Sequence, residues 1–312
     1  MPTLSILVNG SIAYDRILNF PGNFVDHLLP EKLHQLSVSF LATDMQKGFG
    51  GTAGNIAYSL TLLGLHPELA GRVGNDFDEY AKHWQAYKIG KKLLEKDAKR
   101  STAAATMITD RSDNQISAFY PGALAKPLKK KVIPRDVALA IVAAGNPADM
   151  LRLPKQFRQQ GIPYIFDPGQ QIPALSAANL KTAIRGSYAL IGNDYEIALI
   201  AKKLGVKEKG LFQFTSMIIT TLGSRGSRIA LPEWSCEVKA AKAKKVIDPT
   251  GAGDAYRAGL CYGILKEWPL EKVARFASVV AVHAVEHYGT QEHHFTLSSL
   301  KKRYQLNYRE AL

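Results

Sequence analysis

Short apolar runs recur along the chain. Residues 4–9, 67–73, 138–144, 163–167, 187–192 and 216–221 are rich in Val, Ile, Leu and Ala. Each has the length of a buried strand. Between most of them the apolar residues repeat with helical spacing. After Gly51, for instance, Ala53, Ile56, Ala57, Leu60 and Leu63 fall on one helix face. The next helix is expected to open at Asp76, with Glu79 three residues on in the spacing of a capping box. Strands alternating with helices predict an α/β fold, with a central, mostly parallel sheet flanked by helices.

Two stretches break this alternation. Residues 14–46 hold two extended segments, 14–20 and 36–46. Residues 103–109 and 115–120 flank the polar turn Asp110-Arg-Ser-Asp-Asn114, which predicts an antiparallel hairpin. The expectation is one α/β domain over residues 1–312, with a small β-sheet lid subdomain from about 14–46 and 103–120. A lid of this kind covers an active site and excludes water.

Composition narrows the picture. Of 312 residues, 46% are hydrophobic, which supports a sizeable core, and 21% are charged, too few for a disordered chain. No run of about 18 apolar residues occurs, so no membrane helix is expected. The N-terminal apolar run lacks a basic region before it and reads as a first strand, not a signal peptide. Cys236 and Cys261 have no CxxC spacing and are expected to be reduced thiols in a cytoplasmic protein. The net charge of +13 attracts anions. Its lysines lie in separate groups at 88–99, 126–131, 202–209 and 239–245, with no aromatic platform or basic recognition helix. Small phosphate-bearing molecules are therefore the expected partners, with neither nucleic acid nor membrane. A basic nucleic-acid-binding protein without catalysis is the alternative from another class.

The strongest local signal is Asp248-Pro-Thr-Gly-Ala-Gly-Asp-Ala-Tyr-Arg-Ala-Gly259, which leads into Ala255, Ala258, Cys261, Tyr262 and Leu265 at helical spacing. Gly251 and Gly253 allow a tight turn whose amides, with the positive end of the helix, make an anion site. Asp254 beside that site suits a base that takes a proton from an attacking hydroxyl. The combination is the layout for phosphoryl transfer. Rival motifs are missing: there is no GxxxxGK[ST], and Tyr256 stands where a dinucleotide fingerprint needs its third glycine. The protein-kinase HRD and DFG set is also missing. His283-Ala-Val-Glu286-His287 matches a zinc pattern, HxxEH. It lacks a convincing third ligand downstream, so a helix face with partly exposed imidazoles is expected.

The chain resembles the ribokinase-like (PfkB) kinases of sugars and nucleosides. Residues 248–259 look like that family's C-terminal signature, and Gly50-Gly51-Thr-Ala-Gly-Asn55-Ile-Ala looks like its N-terminal glycine signature. Asn193-Asp-Tyr-Glu196 resembles its NxxE motif, and Thr220-Thr-Leu-Gly223-Ser-Arg-Gly226 its nucleotide loop. The order is the family's, and the motifs span nearly the whole chain. Within the family, the runs GSIAYDRILNFPG, SFLATDMQKGFGGTAGN, ISAFYPGA, DPGQQ and YGTQE are similar to the bacterial adenosine kinase branch.

The resemblance implies a ribokinase-like fold and the ATP-dependent phosphorylation of a nucleoside 5′-hydroxyl, adenosine to AMP first of all. A sugar kinase of the same family is the alternative. It places Ser11, Asp15, Gly51 and Asn55 on the nucleoside, with Asp15 on the ribose hydroxyls, and Phe119, Gln170 and Gln171 around the base. Asp254 is the implied base, and the amides of Gly251, Ala252 and Gly253 the anion hole. Asn193, Thr221, Gly223 and Gly226 are implied in ATP binding, and Glu196 in holding Mg2+ through water. The resemblance also admits a monovalent cation and a homodimer formed through the lid. One position departs from the pattern. Where the related enzymes carry an aromatic in the hairpin, this chain has Ala105, which removes a stacking face worth about 1–3 kcal/mol.

Overall fold

The first apolar run becomes β1 (Ser5–Asn9), which sits inside a nine-stranded sheet. The computed structural model describes residues 5–28, 34–35, 37–112, 114–129, 134 and 136–312. After β1 come β2 (Ala13–Asn19), β3 (Asp44–Gly50), α1 (Thr52–Leu62), β4 (Pro67–Val73), α2 (Asp78–His83) and β5 (Gly90–Lys96). Then follow β6 (Ala103–Thr109), β7 (Gln115–Tyr120), β8 (Val137–Val142), α3 (Pro147–Gln160), β9 (Tyr164–Phe166) and α4 (Ala177–Ile184). The remainder is β10 (Ala189–Asn193), α5 (Asp194–Leu204), β11 (Ile218–Thr221), β12 (Ser227–Leu231), β13 (Trp234–Val238), α6 (Ala252–Leu265), α7 (Leu270–Val285) and α8 (Leu297–Tyr308).

The large sheet runs β13-β12-β11-β10-β9-β8-β1-β4-β5. All its pairs are parallel except β11–β12 and β12–β13. All six apolar runs named from the sequence fall on its strands. Those runs are continuous because the strands are covered on both sides. In β1, Ile6 and Val8 pack with residues of α1, α6 and α7, among them Ile56, Leu60, Ala258 and Phe276. Leu7, pointing the other way, packs with Met150, Phe157, Leu180 and Ile197 of α3, α4 and α5. The sequence pattern misses β5, β12 and β13. They lie towards the two edges of the sheet, where GKKLLEK and WSCEV are partly exposed and carry no continuous apolar run.

A second sheet of four strands, β3-β2-β6-β7, forms the lid. Its hairpin falls where the sequence puts it, with Thr109 paired to Gln115. Asp110 shapes the turn by accepting the amides of Ser112 and Asn114, both at 2.9 Å, through one carboxylate oxygen. Two expectations need correction. The second extended segment is Asp44–Gly50, not 36–46. Register explains it: β2 pairs from Ala13 with Gly50 to Asn19 with Asp44, which uses up the whole of β2. Residues 37–43 lie outside any strand, and residue 36 lies outside the described residues. The helix expected from Asp76 opens at Asp78 with no side-chain cap. The Asp76 carboxylate instead accepts the Thr102 amide at 2.7 Å and ties the root of the hairpin to the core.

Burial on both faces of β1 has a measurable consequence. Ile6→Ala and Leu7→Ala are each expected to lower the unfolding free energy by about 2–5 kcal/mol in chemical denaturation. A large loss at only one of them would show that one face of the sheet is poorly covered.

Candidate active site

The site begins where β1 ends. Ser11 donates its amide to the Ala144 carbonyl beyond β8, at 2.9 Å. Its hydroxyl oxygen accepts the Thr52 amide at 3.0 Å, and its carbonyl accepts the Ala53 amide at 2.9 Å, so Ser11 anchors the first turn of α1. The chain then enters the lid at Ala13 and returns from it at Gly50. A ligand site outside the carboxyl ends of parallel strands is the general expectation for such sheets.

Between lid and core lies a cleft of about 410 Å³. It brings together Ser11, Asp15, Gly51, Asn55, Phe119, Gln170, Asn193, Glu196, Thr221, Gly251, Gly253 and Asp254. Gly223, Gly226 and Ala252 line a neighbouring hollow of about 660 Å³, which shares Thr221 and Gly253 with the cleft. That hollow is walled by Ala241, Val246, Tyr256 and Val282. Gln171 does not line the cleft. It lies half-buried in the following turn, where its amide donates to the Pro168 carbonyl at 2.9 Å.

Asp15 stands on β2 in the middle of one row across the lid, flanked by Gly48 and Ala105, with Phe119 next beyond Ala105. Its carboxylate lies so close to Gly50 that a Cβ there would be 2.1 Å from Oδ2. Glycine at position 50 is therefore what leaves the carboxylate room. No hydrogen bond from the described residues holds the Asp15 side chain. Burial, with Asp254 and Asp248 nearby, pushes its pKa up to about 7.

Asp254 lies in the first turn of α6. Gly251 precedes that helix at φ 78°, a left-handed turn that suits glycine. The first amides of a helix have no intrahelical acceptor. Ala252 turns its N–H back to the Pro249 carbonyl at 3.2 Å, while Gly251 and Gly253 border the cleft. Asn55 on α1 donates from Nδ2 to Asp254 Oδ2 at 2.8 Å. Burial pushes the Asp254 pKa up to about 6, against the opposing pull of Arg257 and the Asn55 hydrogen bond.

Sequence reasoning did not assign Arg257, Asp167, Met107 or Thr290, all of which line the cleft. Arg257 is buried and forms a two-pronged ion pair with Asp167, with Nη2 to Oδ1 at 2.7 Å and Nε to Oδ2. Its Nη1 donates to the Gly253 carbonyl at 2.9 Å. Arg257 thus steadies the turn and neutralises Asp167. The signal was present, since Arg257 stands within the 248–259 run and Asp167 opens DPGQQ. Met107 follows Ala105 by two residues, on the same face of β6.

Asn193 and Glu196 form a capping box on α5. Asn193 Oδ1 accepts the Glu196 amide at 2.7 Å, and Glu196 Oε2 accepts the Asn193 amide at 2.8 Å. The pair thus caps α5, and both residues also border the cleft.

The HxxEH run is not a helix face. α7 ends at Val285, and Glu286 and His287 lie beyond it. The Glu286 carboxylate is engaged by Arg303, at 2.9 and 3.1 Å. His283 is buried, not partly exposed, and burial pushes its pKa down to about 4. Among the described residues no group of His, Cys, Asp and Glu is placed to hold a metal by itself. None of the described helices is long and apolar enough to cross a membrane.

Comparison with known proteins identifies the family and the fold. The profile of the pfkB family carbohydrate kinases matches residues 6–295. A nucleoside kinase of Methanothermobacter thermautotrophicus is 35% identical over 295 residues, covering 92% of this chain and 91% of that protein. The nucleoside kinase of Burkholderia thailandensis, solved in complex with inosine, superposes with a TM-score of 0.88 at 33% identity, covering 98% of this chain and 99% of that one. The nucleoside kinase of Methanocaldococcus jannaschii, an archaeal member of the ribokinase family, superposes with a TM-score of 0.88 at 28% identity, over 97% and 98% of the two chains. With its ribokinase-like fold, the chain belongs to the PfkB family of carbohydrate kinases and is a phosphotransferase acting on a nucleoside or sugar hydroxyl.

Proposed function

We propose that this enzyme transfers the γ-phosphoryl group of ATP to the 5′-hydroxyl of a ribonucleoside, with adenosine first among its substrates. The observation that carries the reading is the pairing of two carboxylates across one cleft. Asp254 stands at the amide-rich start of α6, and Asp15 faces the cleft from the lid with no hydrogen-bond partner among the described residues. A ribose held by its vicinal hydroxyls on Asp15 has its 5′ end free to reach Asp254. Phe119, Ala105 and Met107 give the lid an apolar wall for the base. The relative from B. thailandensis, solved with inosine and in a second complex with ADP and inosine, supports a nucleoside over a simple sugar.

In the reaction, Asp254 accepts the 5′-hydroxyl proton as that oxygen attacks the γ-phosphorus. The bond between the γ-phosphorus and the bridging oxygen breaks, and ADP leaves with its electron pair. The amides of Gly251 and Gly253 donate to the charge that develops. The apolar hollow beside Thr221 and Gly253 suits the adenine of ATP, with Gly223 and Gly226 at its rim.

Among the described residues, the cleft lining holds four carboxylates, Asp15, Asp167, Glu196 and Asp254, against one guanidinium, Arg257. A polyanionic nucleotide needs a cation there. Glu196 commits one oxygen to its capping box and keeps the other, which fits an Mg2+ that retains its waters and binds mostly through phosphate oxygens. Bound there, Mg2+ would neutralise phosphate charge.

Asp254→Asn is expected to lower kcat by about 10²–10⁴ with the fold intact. In the wild type, kcat should fall as pH drops through about 6, because the protonated carboxyl cannot act as a base. Near-normal turnover by the purified variant in a coupled ATP assay would remove Asp254 from the chemistry.

The acceptor is checked separately. Deleting one ribose hydroxyl leaves an Asp15 oxygen without its donor, so ribonucleosides should exceed their 2′-deoxy counterparts by about tenfold or more in kcat/KM. Asp15→Ala should narrow that gap. The nucleoside KM should rise as pH falls below about 7, where the free carboxylate takes up a proton. Equal use of adenosine and 2′-deoxyadenosine would refute the role of Asp15, and preference for free ribose over every nucleoside would place the enzyme among the sugar kinases.

A further inference from the structure

Gln291 lies behind the cleft, in the segment between α7 and α8, and is only 2% exposed. Its carboxamide touches four side chains. Oε1 is 3.3 Å from Trp84 Nε1 and 3.2 Å from His83 Nε2. Nε2 is 3.0 Å from Asn55 Oδ1 and 2.6 Å from the Tyr80 hydroxyl. An indole N–H can only donate, so the Gln291 oxygen must face Trp84. The Tyr80 hydroxyl gives its proton to the Gly50 carbonyl at 2.7 Å, so it must accept from Gln291. Two independent partners therefore fix which end of the amide points which way.

That orientation propagates. The Gln291 NH2 needs an acceptor at Asn55, and only Oδ1 can serve. A primary amide that turns its oxygen back to Gln291 turns its NH2 forward. The NH2 of Asn55 then meets Asp254 Oδ2 at 2.8 Å. Were the Asn55 amide reversed, its oxygen would face a carboxylate oxygen, and the ionised form of Asp254 would lose a donor and gain a repulsion.

We infer that Gln291 is a positioning residue: held by Trp84 and Tyr80, it locks the Asn55 amide in the one orientation that donates to the Asp254 carboxylate. The inference rests on the proposed reaction only for its consequence in catalysis. The hydrogen-bonded chain is a property of the resting protein. The other charged groups around Asp254 are Arg257 on its own helix, Asp167 beyond β9 and Asp15 on β2, with Asp248 near Asp15. His83 on α2 faces Gln291, and Glu292, next to Gln291 in the chain, lies near His83. None of these groups is altered in the test.

The test reads the titration of the Asp254 carboxyl by 13C NMR, its signal assigned by its loss in Asp254→Asn. Gln291→Met frees the Asn55 amide without adding charge and is expected to raise the Asp254 midpoint. Gln291→Glu, which needs a donor from Asn55, is expected to raise it further, by about one unit or more. In an Asn55→Ala background, Gln291→Met should add no further shift. The acid limb of kcat should move upward with the titration, while KM for ATP stays within about twofold, a split that a general loss of structure does not produce. Near-UV circular dichroism establishes that each variant is folded. In the unaltered protein, the side-chain amide protons of Asn55 and Gln291 should exchange slowly with solvent, a check that needs no variant. An unmoved Asp254 midpoint in folded Gln291→Met and Gln291→Glu proteins, or rapid exchange of those amide protons in the wild type, would overturn the assignment. If the wild type turned over no nucleoside, the proposed reaction would fall, and the titration would still decide the role of Gln291.

Discussion

The geometry of the site hangs from the knot at Ser11. Three chain segments meet there: the end of β1, the start of α1 and the segment leaving β8. The Thr52 side chain closes the knot by donating to the Ala144 carbonyl at 3.0 Å. The β2 and β3 ends of the lid are tied to the same place, because Ala13 pairs with Gly50 immediately beside it. Asp15 is two residues into one lid strand, and Asn55 is one turn into the helix that follows the other. Their separation is thus set by short, hydrogen-bonded stretches of backbone. The same logic reaches Asp254, since α1 and α6 pack side by side in the core through residues such as Ile56 and Ala258.

Electrostatics then divides the labour. The chain carries a net charge of +13, yet the cleft holds an excess of carboxylates. Arg257 gives its charge to Asp167 and its remaining donor to the Gly253 carbonyl, so the positive potential at the centre comes mainly from backbone amides at the start of α6. Under the proposed reaction, this arrangement keeps a base usable. A free guanidinium beside Asp254 would hold its pKa low and weaken its basicity, whereas burial raises it towards the working range. The surplus of positive charge lies outside the cleft lining, where a net charge favours long-range attraction of anions.

Much of this was legible in the sequence, and the reason is physical. Strands buried on both faces leave continuous apolar runs, so the six central strands stand out, while the edge strands β5 and β13 do not. The hairpin of β6 and β7 was legible because Asp110 and Asn114 mark its turn. The start of β3 was not, because its limits follow from register with β2 and not from its own composition. Helix α2 was displaced by two residues because Asp76 is used in a tertiary bond, which no local pattern reveals. In the site, the glycine turn and its aspartate are local and could be read directly. The joining of Asp167 to Arg257 and of Gln291 to Asn55 spans 90 and 236 residues of chain, so only the fold could expose it.

On the proposed reaction, the lid gives the sugar, and not the base, the larger part in recognition. The row across it runs Gly48, Asp15, Ala105, Phe119, with Asp15 the one side chain in that row carrying a charge. Ala105 offers only a methyl group. Phe119 is displaced by one strand towards the rim and is 47% exposed, so it can cover a base from the side without enclosing it. Met107 adds an adaptable thioether beneath. An apolar wall of this kind discriminates weakly between bases of similar size, because a lost or gained methylene is worth little and the wall presents no donor or acceptor to leave unpaired. Asp15 is the opposite case, a partly buried carboxylate whose oxygens must be matched. Under the proposed reaction, the polar demand of the lid therefore falls on the vicinal hydroxyls that every ribonucleoside shares.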